Sequence, residues 1–232
     1  MKRFEWAAFV LAFLAAAVLS GCVRSSGGVP VRAGDTLNTA TATRSPSTHS
    51  TESAQSYVPG VSPTTRESIP PNARTCTPAD TRGATMTAAV SDPAAPKITV
   101  EIPDGWTPSP GSGDVGARLD GPQGAWATVT IAATPLDAAT AFTQYADRVM
   151  AASQVSSVSV LPAEFCGYSS QKLMGAWSDN SQRSVKFADR IAHIWTDTSN
   201  YLVVVHVQAP SGAAGFEPAS DELIEDFKVD IP

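Results

Sequence analysis

His193 and His206 are the two histidines that follow Cys76 in this 232-residue chain, and imidazole is the side chain best suited to proton transfer near neutral pH. If the turn between their strands sets Thr196 opposite Tyr201, His206 faces Ile191 and lies diagonal to His193 and Asp189. All of these then share one sheet face with Trp195. A His206 and Asp189 pair could act as an oriented base, yet no nucleophile stands beside it. Asp189 and His193 are four residues apart along one strand, about 13 Å, too far to ligate one metal ion together. A one-residue slip would send the two histidines to opposite faces. The expectation is a pair of partly exposed hairpin histidines, with hydrolysis through His193 and His206 as the minor alternative and no metal site.

Other hydrolase signatures are weaker. Ser169-Ser170-Gln171-Lys172 matches Ser-X-X-Lys and Ser178-Asp179-Asn180 matches a second β-lactamase motif. The first enters a predicted strand rather than a helix, the second falls on the next turn, and no Lys-Thr-Gly follows. No Gly-X-Ser-X-Gly elbow occurs, and Gly111-Ser112-Gly113 follows Pro110 without opening a helix after a strand. No catalytic residue is assigned and no cofactor is expected. The tryptophans Trp106, Trp126, Trp177 and Trp195 are concentrated in a domain of low aromatic content. At least two belong to a core, whereas Trp126 shares its strand face with Thr128 and Thr130 and suits a binding groove. The candidate binding surface is therefore Trp126, His193, Trp195 and His206.

Cysteine carries a second kind of chemistry. Leu19-Ser20-Gly21-Cys22 follows a basic start at Met1–Arg3 and an apolar run from Ala7 to Leu19, a secretory signal too short to span a bilayer. The tetrad resembles the lipobox of bacterial lipoproteins, which implies cleavage before Cys22 and acylation of its thiol. Cys22 would then hold the protein at the extracytoplasmic face of the cell membrane. Cys76 and Cys166 remain. Outside the cytoplasm they are expected to form a disulfide, since neither a Cys-X-X-Cys motif nor a further ligand set points to redox or metal chemistry.

The elements that must position these groups begin late in the chain. Residues 1–21 form the signal peptide, 22–75 a tether rich in Ser, Thr and Pro, and 76–232 a single domain. Apolar residues of the tether follow no period, so it is expected to be disordered, with a reach of roughly 40 Å. Residues Val23–Thr75 carry five Arg and three acids, while Cys76–Pro232 carries nine basic and eighteen acidic residues, a net −9. That acidity argues against nucleic acid as a partner. Within the domain, Lys97–Ile102 and Ala125–Ala133 alternate as strands, with Pro103-Asp104-Gly105 turning after the first. Asp137 caps a helix that buries Phe142, Tyr145 and Val149 and runs to about Ala152. Strands Gln171–Trp177, Arg183–Thr196 and Tyr201–Gln208 follow, joined by turns at Ser178–Ser181 and Asp197–Asn200. Glu217-Pro218 opens a last helix with Pro218 at its first position and Leu223, Ile224 and Phe227 buried; its acids form the solvated side. The class is α+β, an antiparallel sheet with two principal helices.

This order of elements, together with Ile102-Pro103-Asp104-Gly105-Trp106, Gly175-Ala176-Trp177 and the hairpin around Asp197–Asn200, resembles the LpqN/LpqT lipoprotein family of mycobacteria and related actinobacteria. The resemblance implies a PsbP-like α/β/α sandwich and an envelope location, acylated at Cys22. It implies no catalytic residues, and the pair Cys76 and Cys166 departs from the family pattern. The chain is expected to be a monomeric, non-enzymatic module that binds an envelope protein or an apolar ligand. A carrier enclosing a lipid or glycolipid between sheet and helix is the alternative.

Overall fold

The computed structural model describes residues 58–78, 83–180, 183–225 and 227–232. Cys22, the signal segment and the tether up to Tyr57 lie outside the described residues. In chain order the elements are β1 (Arg74–Cys76), β2 (Thr85–Ala88), β3 (Lys97–Glu101), β4 (Thr107–Pro110), β5 (Val115–Asp120), β6 (Trp126–Thr134), α1 (Ala138–Ala151), β7 (Val155–Pro162), β8 (Ser169–Asn180), β9 (Arg183–Trp195), β10 (Asn200–Pro210), α2 (Phe216–Ile224) and β11 (Lys228–Asp230). Among the described residues no helix is long and apolar enough to cross a membrane.

Seven strands form the main sheet in the order β4-β5-β6-β10-β9-β8-β7, every pairing antiparallel. β10 lies at its centre because its sequence is apolar on both faces. Val203, Val205 and Val207 are buried on one side, and Leu202 and Val204 on the other. A four-stranded sheet, β1-β11-β3-β2, joins α2 over the first face. Ile98, Val100, Val229, Leu223 and Phe227 meet the valines there. On the second face α1 lays Ala138, Phe142 and Val149 against Leu173, Phe187 and Ile191. Asp137 begins α1 by accepting hydrogen bonds from the Thr140 amide and hydroxyl, both 2.9 Å. The result is the α+β class anticipated from the sequence, with one outer layer shared between α2 and the smaller sheet.

Three local expectations are corrected. Ser178–Asn180 is strand, not turn, because cross-strand pairing with β9 continues past Ser178 through a bulge and overrides the turn propensity of these polar residues. Pro218 is the third residue of α2 rather than the first; the whole first turn tolerates proline because its amides have no intrahelical acceptor. Phe227 lies beyond the end of α2, where its ring packs 4.3 Å from Phe165. The tight turn after β3 forms as its sequence suggests, with the Trp106 amide donating to the Pro103 carbonyl and Gly105 at φ 78°. Trp106 then fills the core so closely that a Cβ on Gly121 would come within 2.5 Å of its ring.

The largest departure concerns the tether, whose final part is laid along the domain as a strap. Gln171 donates through Nε2 to the Pro59 carbonyl at 2.7 Å, and the Ser170 amide donates to the Gly60 carbonyl at 2.8 Å. The Ser169 hydroxyl donates to the Ser62 carbonyl while accepting from the Ser62 amide, each at 2.9 Å. These contacts bury Ser169, Ser170 and Gln171, which would otherwise leave β8 polar groups needing solvent. Gly60 has φ 72°, and a Cβ there would lie 2.0 Å from the Ser170 carbonyl oxygen, so no other residue can make this approach. Composition concealed the strap because its anchors are chiefly backbone groups.

Cys76, at the end of β1, is disulfide-bonded to Cys166 in the turn after β7, with Cα atoms 5.6 Å apart and a sequence separation of 90. The bond staples the start of the domain to its body. Reducing it, or replacing both residues by Ala, is expected to lower the unfolding free energy by about 3–5 kcal/mol for a loop of this length. Chemical denaturation with and without reductant measures the difference.

Candidate functional site

The functional side chains hang on the register of the β9–β10 hairpin. The Thr196 amide donates to the Ser199 carbonyl at 3.0 Å and Asp197 takes φ 73°, a tighter turn than Thr196 opposite Tyr201 requires. Trp195 therefore stands opposite Asn200, His206 directly opposite Asp189, and His193 opposite Leu202. His193, His206, Asp189 and Trp195 do share one face. The histidines, however, are four residues apart along the ladder, about 13 Å, instead of diagonal neighbours. Nor are they both partly exposed: His193 is only 4% exposed, while His206 is half-buried.

At one end of this face, the Asp189 carboxylate is wholly buried and accepts from two donors. The Tyr145 hydroxyl of α1 donates to Oδ2 at 2.8 Å, and Nδ1 of His206 donates to Oδ1 at 2.6 Å. Nε2 of His206 lies 3.1 Å from Oε1 of Gln208, so both ring nitrogens face acceptors, an arrangement that favours the imidazolium. Burial works against charging the ring, but the Asp189 hydrogen bond and charge, with Gln208, carry its pKa above the ordinary histidine value. Burial first, and then the Asp189 charge, pushes the Tyr145 hydroxyl well above its ordinary value. Aromatic rings enclose this network. Trp126 lies 5.1 Å and Trp177 6.0 Å from the His206 ring, and Trp177 stacks on Phe187 at 4.4 Å.

The other end of the face lies beneath the strap. Nε2 of His193 sits 2.9 Å from the Leu136 carbonyl, and a carbonyl only accepts, so Nε2 carries the proton. Trp195 is half-buried, with the Arg66 guanidinium 5.1 Å from its ring centre. Ser62, Thr65, Glu67 and Tyr168 join His193 and Trp195 around a cavity of about 370 Å³. A wider groove of about 890 Å³ runs between the strap at Val58–Thr64 and the first turns of α1. Thus the four candidate residues fall into two pairs, Trp126 with His206 and His193 with Trp195.

Because α1 lies over β7, β8 and β9, the β5–β6 side of the face is open. Trp126, Thr128 and Thr130 are half-buried there, as their alternation suggests. Arg118 reaches across from β5 with its guanidinium 5.1 Å from the Trp126 ring, steered by Asp120 at 2.8 Å. An indole flanked by a guanidinium and hydroxyls can stack an apolar group while those polar groups hydrogen-bond its polar neighbours. Arg118, Gln208 and the donor role of Tyr145 were not foreseen. One signal was present: Asp189 interrupts the series Phe187, Ile191 on the inward positions of β9, and a buried carboxylate must find donors. The Ser-X-X-Lys match dissolves, since the Ser169 hydroxyl is engaged by Ser62 and Lys172 pairs with Glu225 at 2.5 Å.

Compared with known proteins, the chain matches no family model and no curated protein. Among solved structures it is similar to LpqN of Mycobacterium tuberculosis, described as involved in cell envelope biogenesis, with a TM-score of 0.50 and 16% sequence identity over 64% of this chain and 91% of that one. The fold is LpqN-like.

Two outcomes test the Asp189 network. Tyr145→Phe leaves the buried carboxylate one donor short and is expected to cost about 1–3 kcal/mol, measured by denaturant unfolding. His206, with a folded-state pKa raised above its unfolded value, contributes stability that is fully present below about pH 6.5 and is lost as pH rises through the folded value. Relative to His206→Gln, the native chain should lose at most about 1.4 kcal/mol per pH unit across that window. Paired melting curves from pH 6 to 9 check this, and a constant difference would contradict it.

Proposed function

We propose that this chain is an envelope lipoprotein of the LpqN/LpqT family. It is anchored through an acylated Cys22 and serves as a non-enzymatic accessory module that binds an envelope protein or apolar ligand on the extracytoplasmic face. The observation that carries the reading is the open sheet face around Trp126, presented on rigid strands of an LpqN-like fold. LpqN is described as involved in cell envelope biogenesis, and the lipobox-like Leu19-Ser20-Gly21-Cys22 supports the same compartment for this chain. Both ring nitrogens of His206 are engaged and the Ser169 hydroxyl is committed to the strap, which favours binding over hydrolysis.

About thirty-five residues separate Cys22 from the strap, which sets an upper limit of roughly 120 Å on the domain's distance from an acylated Cys22. The domain can therefore meet partners above the lipid surface. Trp126 offers the stacking platform, with Arg118 supplying a polar contact at its rim and the His206 ring packed beside it.

Cys22→Ser should move the chain from the detergent phase to the aqueous phase in detergent partitioning and abolish incorporation of an alkyne-tagged fatty acid; unchanged partitioning would refute the anchor. In live-cell proximity crosslinking, Trp126→Ala should reduce recovery of the partner at least tenfold while leaving the melting temperature within a few degrees. Equal recovery from both chains would remove Trp126 from the binding surface.

A further inference from the structure

One edge of the main sheet is β7, Val155-Ser156-Ser157-Val158-Ser159-Val160-Leu161-Pro162, and it carries no charge in a domain of net charge −9. Among the described residues no strand pairs with its outer side. Edge strands are ordinarily guarded by lysines, bulges or a covering element, and β7 pairs with β8 without a register shift. Its ladder to β8 runs Val158 to Gly175 and Leu161 to Lys172. Just beyond β7, the Ala163 amide donates to the Ser170 carbonyl. Hydrogen bonding alternates along an antiparallel pair, so the odd-numbered residues of β7 bond to β8. The amides and carbonyls of Ser156, Val158 and Val160 consequently point out of the edge. Pro162, the next residue in that series, has no amide to leave unpaired.

Exposed apolar side chains gather at the same place. Val155 is 66% exposed, Leu161 43% and Met174, on β8 opposite Ser159, 38%. Odd-numbered residues of β7 face the same side as Met174, so Val155 and Leu161 flank it at the two ends of the strand. We propose that β7 pairs antiparallel with β7 of a second copy about a two-fold axis through Val158, joining two seven-stranded sheets into one. In this register Val158 meets Val158 of the other copy, Ser157 meets Ser159, and exposed Val155 meets exposed Leu161 twice by symmetry. The outward amides and carbonyls at Ser156, Val158 and Val160 become the hydrogen-bonded positions. No charged residue of either strand faces another, so the acidic repulsion between two copies is least along this edge. A self-complementary strand favours a copy of this chain over an unrelated peptide, and the monomer expected from the sequence gives way to a symmetric pair.

Cysteine crosslinking on the full-length chain in intact membranes tests the register. Val158→Cys should give a disulfide-linked species of twice the chain mass under mild oxidation, and Ser157→Cys with Ser159→Cys in one chain should give the same product. Val155→Cys alone should yield at least tenfold less, because its counterpart lies roughly 20 Å along the strand. Adding Val160→Pro to the Val158→Cys chain removes an outward amide without touching a bond to β8, and should abolish the link while leaving the circular dichroism spectrum intact. Absence of the doubled species in both cysteine chains, equal linking at Val155, a link that survives Val160→Pro, or a crosslinked product of any other mass would each overturn the proposal.

Discussion

The buried carboxylate of Asp189 imposes a constraint that reaches across three elements. It is wholly enclosed, and an enclosed carboxylate is tolerated only with donors in place. Tyr145 supplies one from α1 and His206 the other from β10. The helix can therefore sit on the sheet at one angular position, and β10 can pair with β9 in one register. A slip of one residue would carry His206 to the opposite face and leave Asp189 with a single donor among apolar neighbours. The position of α1 in turn decides which part of the sheet is covered. β7, β8 and β9 lie beneath it, and the surface around Trp126 stays open.

A second constraint ties the beginning of the domain to its middle. The strap from Val58 onward delivers carbonyls to β8 at the place where β7 has ended, so Ser170 and Gln171 find partners that the sheet does not provide. The disulfide closes the same region from the other side, holding β1 near the turn after β7. Arg66, carried on the strap, covers Trp195. One stretch of low-complexity sequence thus performs the work of an edge strand with scarcely any side-chain signature, at a position only glycine can occupy.

Strong alternation was readable and weak alternation was not. β3, β6 and β10 announce themselves through Ile98 and Val100, Val129 and Ile131, and the valines of β10, because burial on at least one face requires apolar residues at a spacing of two. α1 was legible from the cap at Asp137 and the spacing of Phe142, Tyr145 and Val149. By contrast β4 is Thr-Pro-Ser-Pro, an edge strand with little buried surface to impose a pattern. β7 is mostly serine and valine for the same reason. The candidate residues themselves were recognised, yet their grouping depended on one turn. Placing Thr196 opposite Tyr201 instead of Trp195 opposite Asn200 shifts every partner along the hairpin by two, enough to mistake a directly opposed acid and histidine for diagonal neighbours.

That shift bears on what the site can do. A histidine diagonal to an aspartate keeps one nitrogen free and can accept a proton from a substrate or water. A histidine opposite the aspartate, with its second nitrogen on Gln208, has no free lone pair in the protonated form that this arrangement favours. In the network it gives the buried carboxylate a hydrogen bond and stiffens the floor beside Trp126. Rigid aromatic surfaces bind well because little side-chain entropy is lost when a ligand stacks on them. His206 therefore acts through its neighbours: its hydrogen bond to Asp189 fixes the imidazole against which the Trp126 indole rests, with the Arg118 guanidinium beside that indole.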